Sequence, residues 1–236
     1  MKKKFLLFAA AILAAASVTA NENSVTPSEK FFIEEEKPQV IKAVYCCDDA
    51  SRPVQLCNME TSLKAVCIDG KWQEAVSMYK FPSAGCYEVS FLLKDHSRLP
   101  DYAFALCNNL YKIELPDSLT TIGESAFSGC VSLSDVCLNG KIDSVGENAF
   151  GGCLFSSFVI PSGVKTLEAW TFYECKALAT LALPSSLEEV SWTAFSRCPM
   201  LTEIIYSGTK ENWQRITEYP TDNHITVHCS DGDILQ

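Results

Sequence analysis

The chain has 236 residues, 47% hydrophobic and 20% charged, a balance that excludes disorder as the main state and leaves room for one medium domain or two small ones. Its formal charge is −10. An acid excess of that size repels phosphate backbones and anionic headgroups, so nucleic acid and charged membrane surfaces are poor partners.

Residues 1–20 read as a secretory signal peptide. Three lysines stand at Lys2 to Lys4, Phe5 to Ala16 is an unbroken apolar run, and Ser17-Val18-Thr19-Ala20 supplies the small residues of a cleavage site. Twelve apolar residues are too few to span a bilayer. Cleavage after Ala20 removes three lysines and no acid, taking the formal charge to −13. The first cysteine is Cys46, too late for a lipid anchor, so a soluble exported product is expected with no integral membrane segment. Residues 21–39, polar and acidic with a Thr26-Pro27-Ser28 breaker, are expected to form a flexible N-terminal segment.

Residues 40–93 read as a small β-rich domain. Candidate strands are Val40–Tyr45, Leu63–Ile68, Trp72–Met78 and Cys86–Leu93, with Asp69-Gly70 as a hairpin-turn signal between the middle two. Leu92 precedes Phe104 by the same offset as Leu115 precedes Phe127. The last strand is therefore expected in register with the region C-terminal to it, so that the domain caps that region.

Residues 94–206 are periodic. Phe104, Phe127, Phe150, Phe172 and Phe195 recur at 22 or 23 residues, and Cys107, Cys130, Cys153, Cys175 and Cys198 keep the same phase. Five residues before each phenylalanine stands an aliphatic: Leu99, Ile122, Val145, Leu167 and Val190. After the cysteines come Leu110, Leu133, Leu178 and Leu201, then paired strand residues such as Ile113 and Leu115. One such unit cannot bury its own apolar side, whereas stacked copies build a continuous core. Pro116, Pro161 and Pro184 stop their strands. The third copy lacks one residue between Cys153 and Ile160, which predicts a local distortion with Leu154 or Phe155 filling the leucine's place.

The phased cysteines read as interior thiols packing like small hydrophobes, with stacked disulfides as the other reading. Cys46, Cys47, Cys57, Cys67 and Cys86 lie outside the period and have room for one or two bridges of undetermined pairing.

The run Ile122-Gly123-Glu124-Ser125-Ala126-Phe127-Ser128-Gly129-Cys130-Val131-Ser132-Leu133 resembles the BspA-like leucine-rich repeats, built on aliphatic-Gly-x-x-Ala-Phe-x-x-Cys-x-x-Leu. Val145 to Cys153 matches it closely, while Glu168 and Ser191 replace the glycine and Thr171 the alanine in later copies. The resemblance covers about Leu99 to Tyr206. It implies a leucine-rich-repeat solenoid of about five 22–23-residue coils and a general binding role at bacterial surfaces, such as adhesion to host proteins or other cells. It brings no residue-level binding motif.

Residues 207–236 form the expected C-terminal cap. Thr209 can cap a short helix, Trp213 and Ile216 share its inner face, Tyr219-Pro220 ends it, and Ile225 to Cys229 is a final strand. Trp213 reads as the plug of the last coil rather than a sugar-stacking residue.

No catalytic or metal motif appears, so no enzyme activity, cofactor or metal is expected. His224 and His228 would sit roughly 13 Å apart on a strand, too far for one ion. His96 has no nucleophile nearby, and nothing selects a carboxylate pair.

The candidate binding face comes from the period of two. With Ile113 and Leu115, Val136 and Leu138, Phe158 and Ile160, Leu181 and Leu183, and Ile204 and Tyr206 inward, the residues between them point out. These are Glu114, Cys137, Val159, Ala182 and Ile205, one per coil at about 5 Å. Beside this mostly apolar stripe runs a polar column of Lys112, Asp135, Ser157, Thr180 and Glu203. Strand propensity accounts for Val159 and Ile205 but not for why the adjacent column lacks such residues. The expected function is an exported, non-catalytic binding module for a protein or glycan at a cell or host surface. The alternative is a structural component of the cell envelope.

Overall fold

The computed structural model describes residues 39–217 and 225–235. The signal peptide, the segment 21–38, the Tyr219-Pro220 stop and His224 lie outside the described residues. Five coils, numbered here by Phe104, Phe127, Phe150, Phe172 and Phe195, stack between a mixed sheet and a short helix.

The stack is held on its inner side by rings and thiols. Phe104, Phe127, Phe150 and Phe172 lie parallel at centroid separations of 5.4, 5.3 and 5.8 Å, each with its side chain out of water. Backbone bonds run unbroken along this edge: Phe104 N–H to Ala126 O, Phe127 to Ala149, Phe150 to Thr171 and Phe172 to Ala194, all 2.7–2.9 Å. The cysteine column has a bonding reason as well as a packing one. The Cys130 thiol donates to Phe104 O at 2.9 Å, Cys153 to Phe127 O, Cys175 to Phe150 O and Cys198 to Phe172 O. A thiol is the small apolar group that can also offer a buried carbonyl a donor. None of the five is bridged. Cys107, Cys130, Cys153 and Cys175 are buried, but Cys198 is only half-buried, because no further Phe–Cys turn covers the last coil.

The residue before each cysteine turns left-handed: Leu106, Gly129, Gly152, Glu174 and Arg197, with φ between 54° and 73°. Glycine is free there, whereas the three others each carry roughly 1–2 kcal/mol of local strain, held in place by the stacked coils. Gly123 is required for a different reason. A Cβ on it would lie 2.6 Å from the backbone of Asp101 in the preceding coil.

On the outer side the strands form two separate sheets. The first has six strands, in the order Asp135–Cys137, Leu110–Glu114, Val40–Cys47, Gly85–Leu93, Leu63–Ile68 and Lys71–Gln73. The second has five: Ser157–Val159, Thr180–Leu183, Glu203–Tyr206, Thr226–Cys229 and Gly232–Leu235. In these outer sheets coils 1 and 2 pair in parallel, as do coils 3 to 5. Among the described residues no pair of outer strands joins coil 2 to coil 3, although the short strands Thr121–Ile122 and Ser144–Val145 pair those coils on another side.

The N-terminal strands cap coil 1, with two departures from expectation. Gly85–Leu93 does not pair with the first coil. Val40–Cys47 lies between them, antiparallel to both, through Lys42↔Glu114 on one side and Ser90↔Lys42 on the other. The equal offset of Leu92 and Leu115 therefore marks packing depth, with Phe91 edge-on to Phe104 at 5.3 Å, and not strand adjacency. The expected strand Trp72–Met78 is two short pieces. Lys71–Gln73 continues the hairpin, while Met78–Tyr79 pairs with Val54–Gln55. Leu56 and Cys57 take the carbonyl of Ser77, so a second pairing partner ends the first strand. Cys46 and Cys86, directly opposite each other in the ladder, form a disulfide.

At the far end Thr209 caps the helix Lys210–Ile216 by accepting from Asn212 N–H, and Trp213 and Ile216 are buried. Trp213 sits against Tyr206 at 5.4 Å, closing the core as expected.

Candidate functional site

The shorter third coil explains the break between the sheets. At the regular junctions the fourth residue after each cysteine donates to its equivalent one coil earlier: Ser134 to Tyr111, Thr202 to Ala179. At the coil 2–3 junction Leu154 N–H instead bonds Leu133 O at 2.9 Å. The missing residue has moved the last shared rung back toward the cysteine. Phe155, not Leu154, fills the leucine's place: it is buried, and Leu154 is 48% exposed. Phe158 then occupies an inward strand position that holds isoleucine, valine or leucine in the other coils. It packs on Phe155 at 4.7 Å and on Phe150 at 4.8 Å. Two extra rings wedge the sheet side apart while the phenylalanine side stays closed.

The result is an opening of about 500 Å³ whose lining includes Val136, Cys137, Asn139, Phe158, Val159 and Pro161. Val136 and Leu138, expected inward, are only half-buried because they border it. Asn139 stands where coils 1, 3 and 4 have proline. Its side-chain amide donates to Pro116 O and Leu119 O, tying coil 2 to coil 1 and away from coil 3.

All ten residues of the candidate face lie in the outer ladder strands, and the break divides them into two groups. On coils 1 and 2, Glu114 bridges to Lys42 at 3.5 Å and Lys112 to Asp135 at 2.7 Å, leaving Cys137 exposed beside them. The hydrogen bond to Asp135 and its charge hold the Lys112 ammonium above its ordinary range. On coils 3 to 5 the stripe is apolar. Val159 is 69% exposed, Ile205 46% and Ala182 half-buried between them, with Ser157, Thr180 and Glu203 alongside in register. The ladder continues one rung further than the repeat. His228 pairs in register with Ile205 and holds Asp233 at 2.9 Å. The alternation in Thr226-Val227-His228 was the sequence signal for that rung.

Sequence reasoning also passed over the turn side. Trp170 and Trp192 are 45% and 61% exposed, and Arg197 lies over the Tyr173 ring while bonding Glu174. Trp170 takes the left-handed site that Ser125 and Asn148 fill in earlier coils; a bulky aromatic there was the available signal. Among the described residues no three His, Cys, Asp or Glu side chains gather as a metal site. No helix among them is long and apolar enough to cross a membrane.

The profile of the BspA type leucine rich repeat region matches residues 97–220 in six copies. The chain belongs to this family. A leucine rich cell surface protein from Faecalibacterium prausnitzii is similar in structure, with 34% identity and a TM-score of 0.51 over 52% of this chain and 33% of that one. A leucine rich repeat protein of T. pallidum shares 28% identity at a TM-score of 0.45, over 46% of this chain and 51% of that one. This chain thus spans about a third and about half of those two proteins. No curated protein sequence matches it.

Proposed function

We propose that this family member is exported and acts as a non-catalytic binding module for a protein partner at a cell or host surface, through the outward strand face of coils 3 to 5. The observation that carries this reading is the split of the stripe. Val159, Ala182 and Ile205 form an apolar column, edged by Ser157, Thr180 and Glu203, while the equivalent face of coils 1 and 2 is occupied by its own ion pairs. Apolar contacts with a polar margin are the anatomy of a modest protein interface, and self-paired charges make the neighbouring half a poorer contact. The cell-surface description of the Faecalibacterium relative supports the location, as does the signal-peptide pattern of residues 1–20.

The test is capture on immobilised matrix proteins and a glycan array, comparing the wild type with Ile205→Glu and Ala182→Glu. A protein ligand held by the wild type and lost by both variants supports the reading. Retention by both variants, or capture by glycans alone, overturns it.

A further inference from the structure

We propose that the opening between coils 2 and 3 binds a short extended peptide, which enters as an added strand between Asp135–Cys137 and Ser157–Val159. This rests on the binding-module reading above and gives one site of that module a ligand class.

The argument begins with which way the backbone groups face. Cys137 O accepts from Leu115 N–H at 3.0 Å, so the polar groups of Asp135 and Cys137 address coil 1. Alternation along a strand turns the N–H and C=O of Val136 the other way, toward coil 3. On the opposite wall Ile160 N–H donates to Ala182 O at 2.9 Å, so Phe158 and Ile160 address coil 4. Val159 accordingly turns its N–H and C=O toward coil 2. Each wall offers a donor and an acceptor, and among the described residues neither strand has a ladder partner on that side. The Ser134 hydroxyl, buried and without a hydrogen-bond partner, also lines the opening. Unpaired strand edges of this kind are templates for another strand. Here two of them face each other across one opening.

The chemistry of the walls narrows the ligand. Phe155 and Phe158 fill the floor, so an inward side chain on the guest must be small. Outward side chains would lie between Cys137 and Val159, where apolar or β-branched residues pack best. Each edge strand is three residues long, so about 10 Å of peptide is engaged. Asp135 on the rim and the acid excess of the chain exclude acidic guests and favour basic flanks.

The experiment is a displayed library of random hexapeptides panned on the full chain. Enriched peptides are then synthesised and measured by fluorescence anisotropy. Val159→Pro and Val136→Pro each delete one wall N–H that has no ladder partner, and melting curves check that both variants fold. The expected result is binding weakened about tenfold by either variant, as for a lost hydrogen bond of about 1.4 kcal/mol. N-methylation of the peptide's central amide weakens it similarly, and a bulky maleimide on Cys137 blocks it. Failure to enrich any peptide overturns the proposal, as does binding indifferent to both proline variants and to N-methylation. Peptides lost on Ile205→Glu but not on Val159→Pro sit on the outer stripe. They overturn the cleft and leave the broader reading standing.

Discussion

Coils 1 and 2 finish their outer face as part of a six-stranded sheet with the N-terminal strands, and their outward charges pair with one another. Coils 3 to 5 finish theirs as a five-stranded sheet closed by a C-terminal hairpin, with an apolar column outward. Between the two halves the phenylalanine stack and its backbone bonds run through without a gap. A repeat of this kind therefore keeps its cooperativity on one side. The ring-and-thiol side tolerates no interruption, and the strand side can lose a rung. One absent residue in coil 3 is absorbed on the side where a strand edge can be left facing water or a ligand.

The largest test of that claim is Phe150→Ala. Its ring touches Phe127, Phe155, Phe158 and Phe172, so truncation should cost about 3–5 kcal/mol. Because the shared core joins the halves, the variant should still melt in one step. Two separate transitions, or a loss below about 1 kcal/mol, would show that the halves fold independently.

A proline pair tests the broken ladder directly. Ala182→Pro removes an N–H inside a paired parallel ladder and should lower stability by about 1–3 kcal/mol. Val159→Pro removes one that faces the opening and should change it by less than about 1 kcal/mol. Urea denaturation midpoints decide it. Equal losses would mean that the coil 2–3 ladder is closed in solution.

How much of this was legible depends on the range of the interactions. The phenylalanine and cysteine columns, the inward and outward parity of the outer strands of coils 1, 3, 4 and 5, and the Thr209-capped helix with Trp213 inside were all readable, because each is set within one repeat or one turn. The short third coil was readable as a distortion, with Phe155 already a candidate for the leucine's place. Its consequence was not. That Phe158 would wedge the sheet open depends on ring volumes in two neighbouring coils, and a column pattern scores phenylalanine and leucine alike. The insertion of Val40–Cys47 between coil 1 and Gly85–Leu93 was hidden for a related reason. Strand order across a long sequence separation leaves no trace in local alternation. Nor did the period show that Cys198 would lack a covering turn.

The thiol column gives a pH test of the part the halves share. Burial pushes the Cys130 thiol up to about 12 from 9.0, and burial likewise raises Cys107 and Cys153. Below pH 9 both folded and unfolded chains keep these protons, so stability is flat in pH on their account. Above 9 the unfolded chain releases them and the folded one does not. Stability therefore falls as pH rises, by about 1.4 kcal/mol per unit for each thiol. Replacing Cys130 by alanine should make the alkaline slope shallower, read from denaturant midpoints through that window. In native protein at neutral pH a maleimide should label Cys137 and spare Cys107, Cys130, Cys153 and Cys175. Labelling of the buried four at the same rate as Cys137 would overturn the assignment of the core.

The smallest expected effect concerns the outer faces. If coils 1 and 2 carry self-paired charge where coils 3 to 5 carry apolar surface, the two should respond differently to salt. Lys112 and Asp135, both partly exposed, should couple by only about 0.2–1 kcal/mol. A double-mutant cycle through Lys112→Ala and Asp135→Ala measures that coupling free of the general change in net charge. A chain at −10 is stabilised by salt whatever its surface pairs do, so single variants alone would mislead. In about 1 M salt the Debye length shrinks to about 3 Å, and the coupling should fall toward zero. A cycle through Val159→Ala and Ala182→Gly, paired neighbours in the apolar column, should give a value that salt leaves unchanged. A Lys112–Asp135 coupling that survives high salt would mean that the N-terminal face is locked by geometry rather than by screened charge. It would then be as available to a partner as the apolar half, and the asymmetry that points binding toward coils 3 to 5 would disappear.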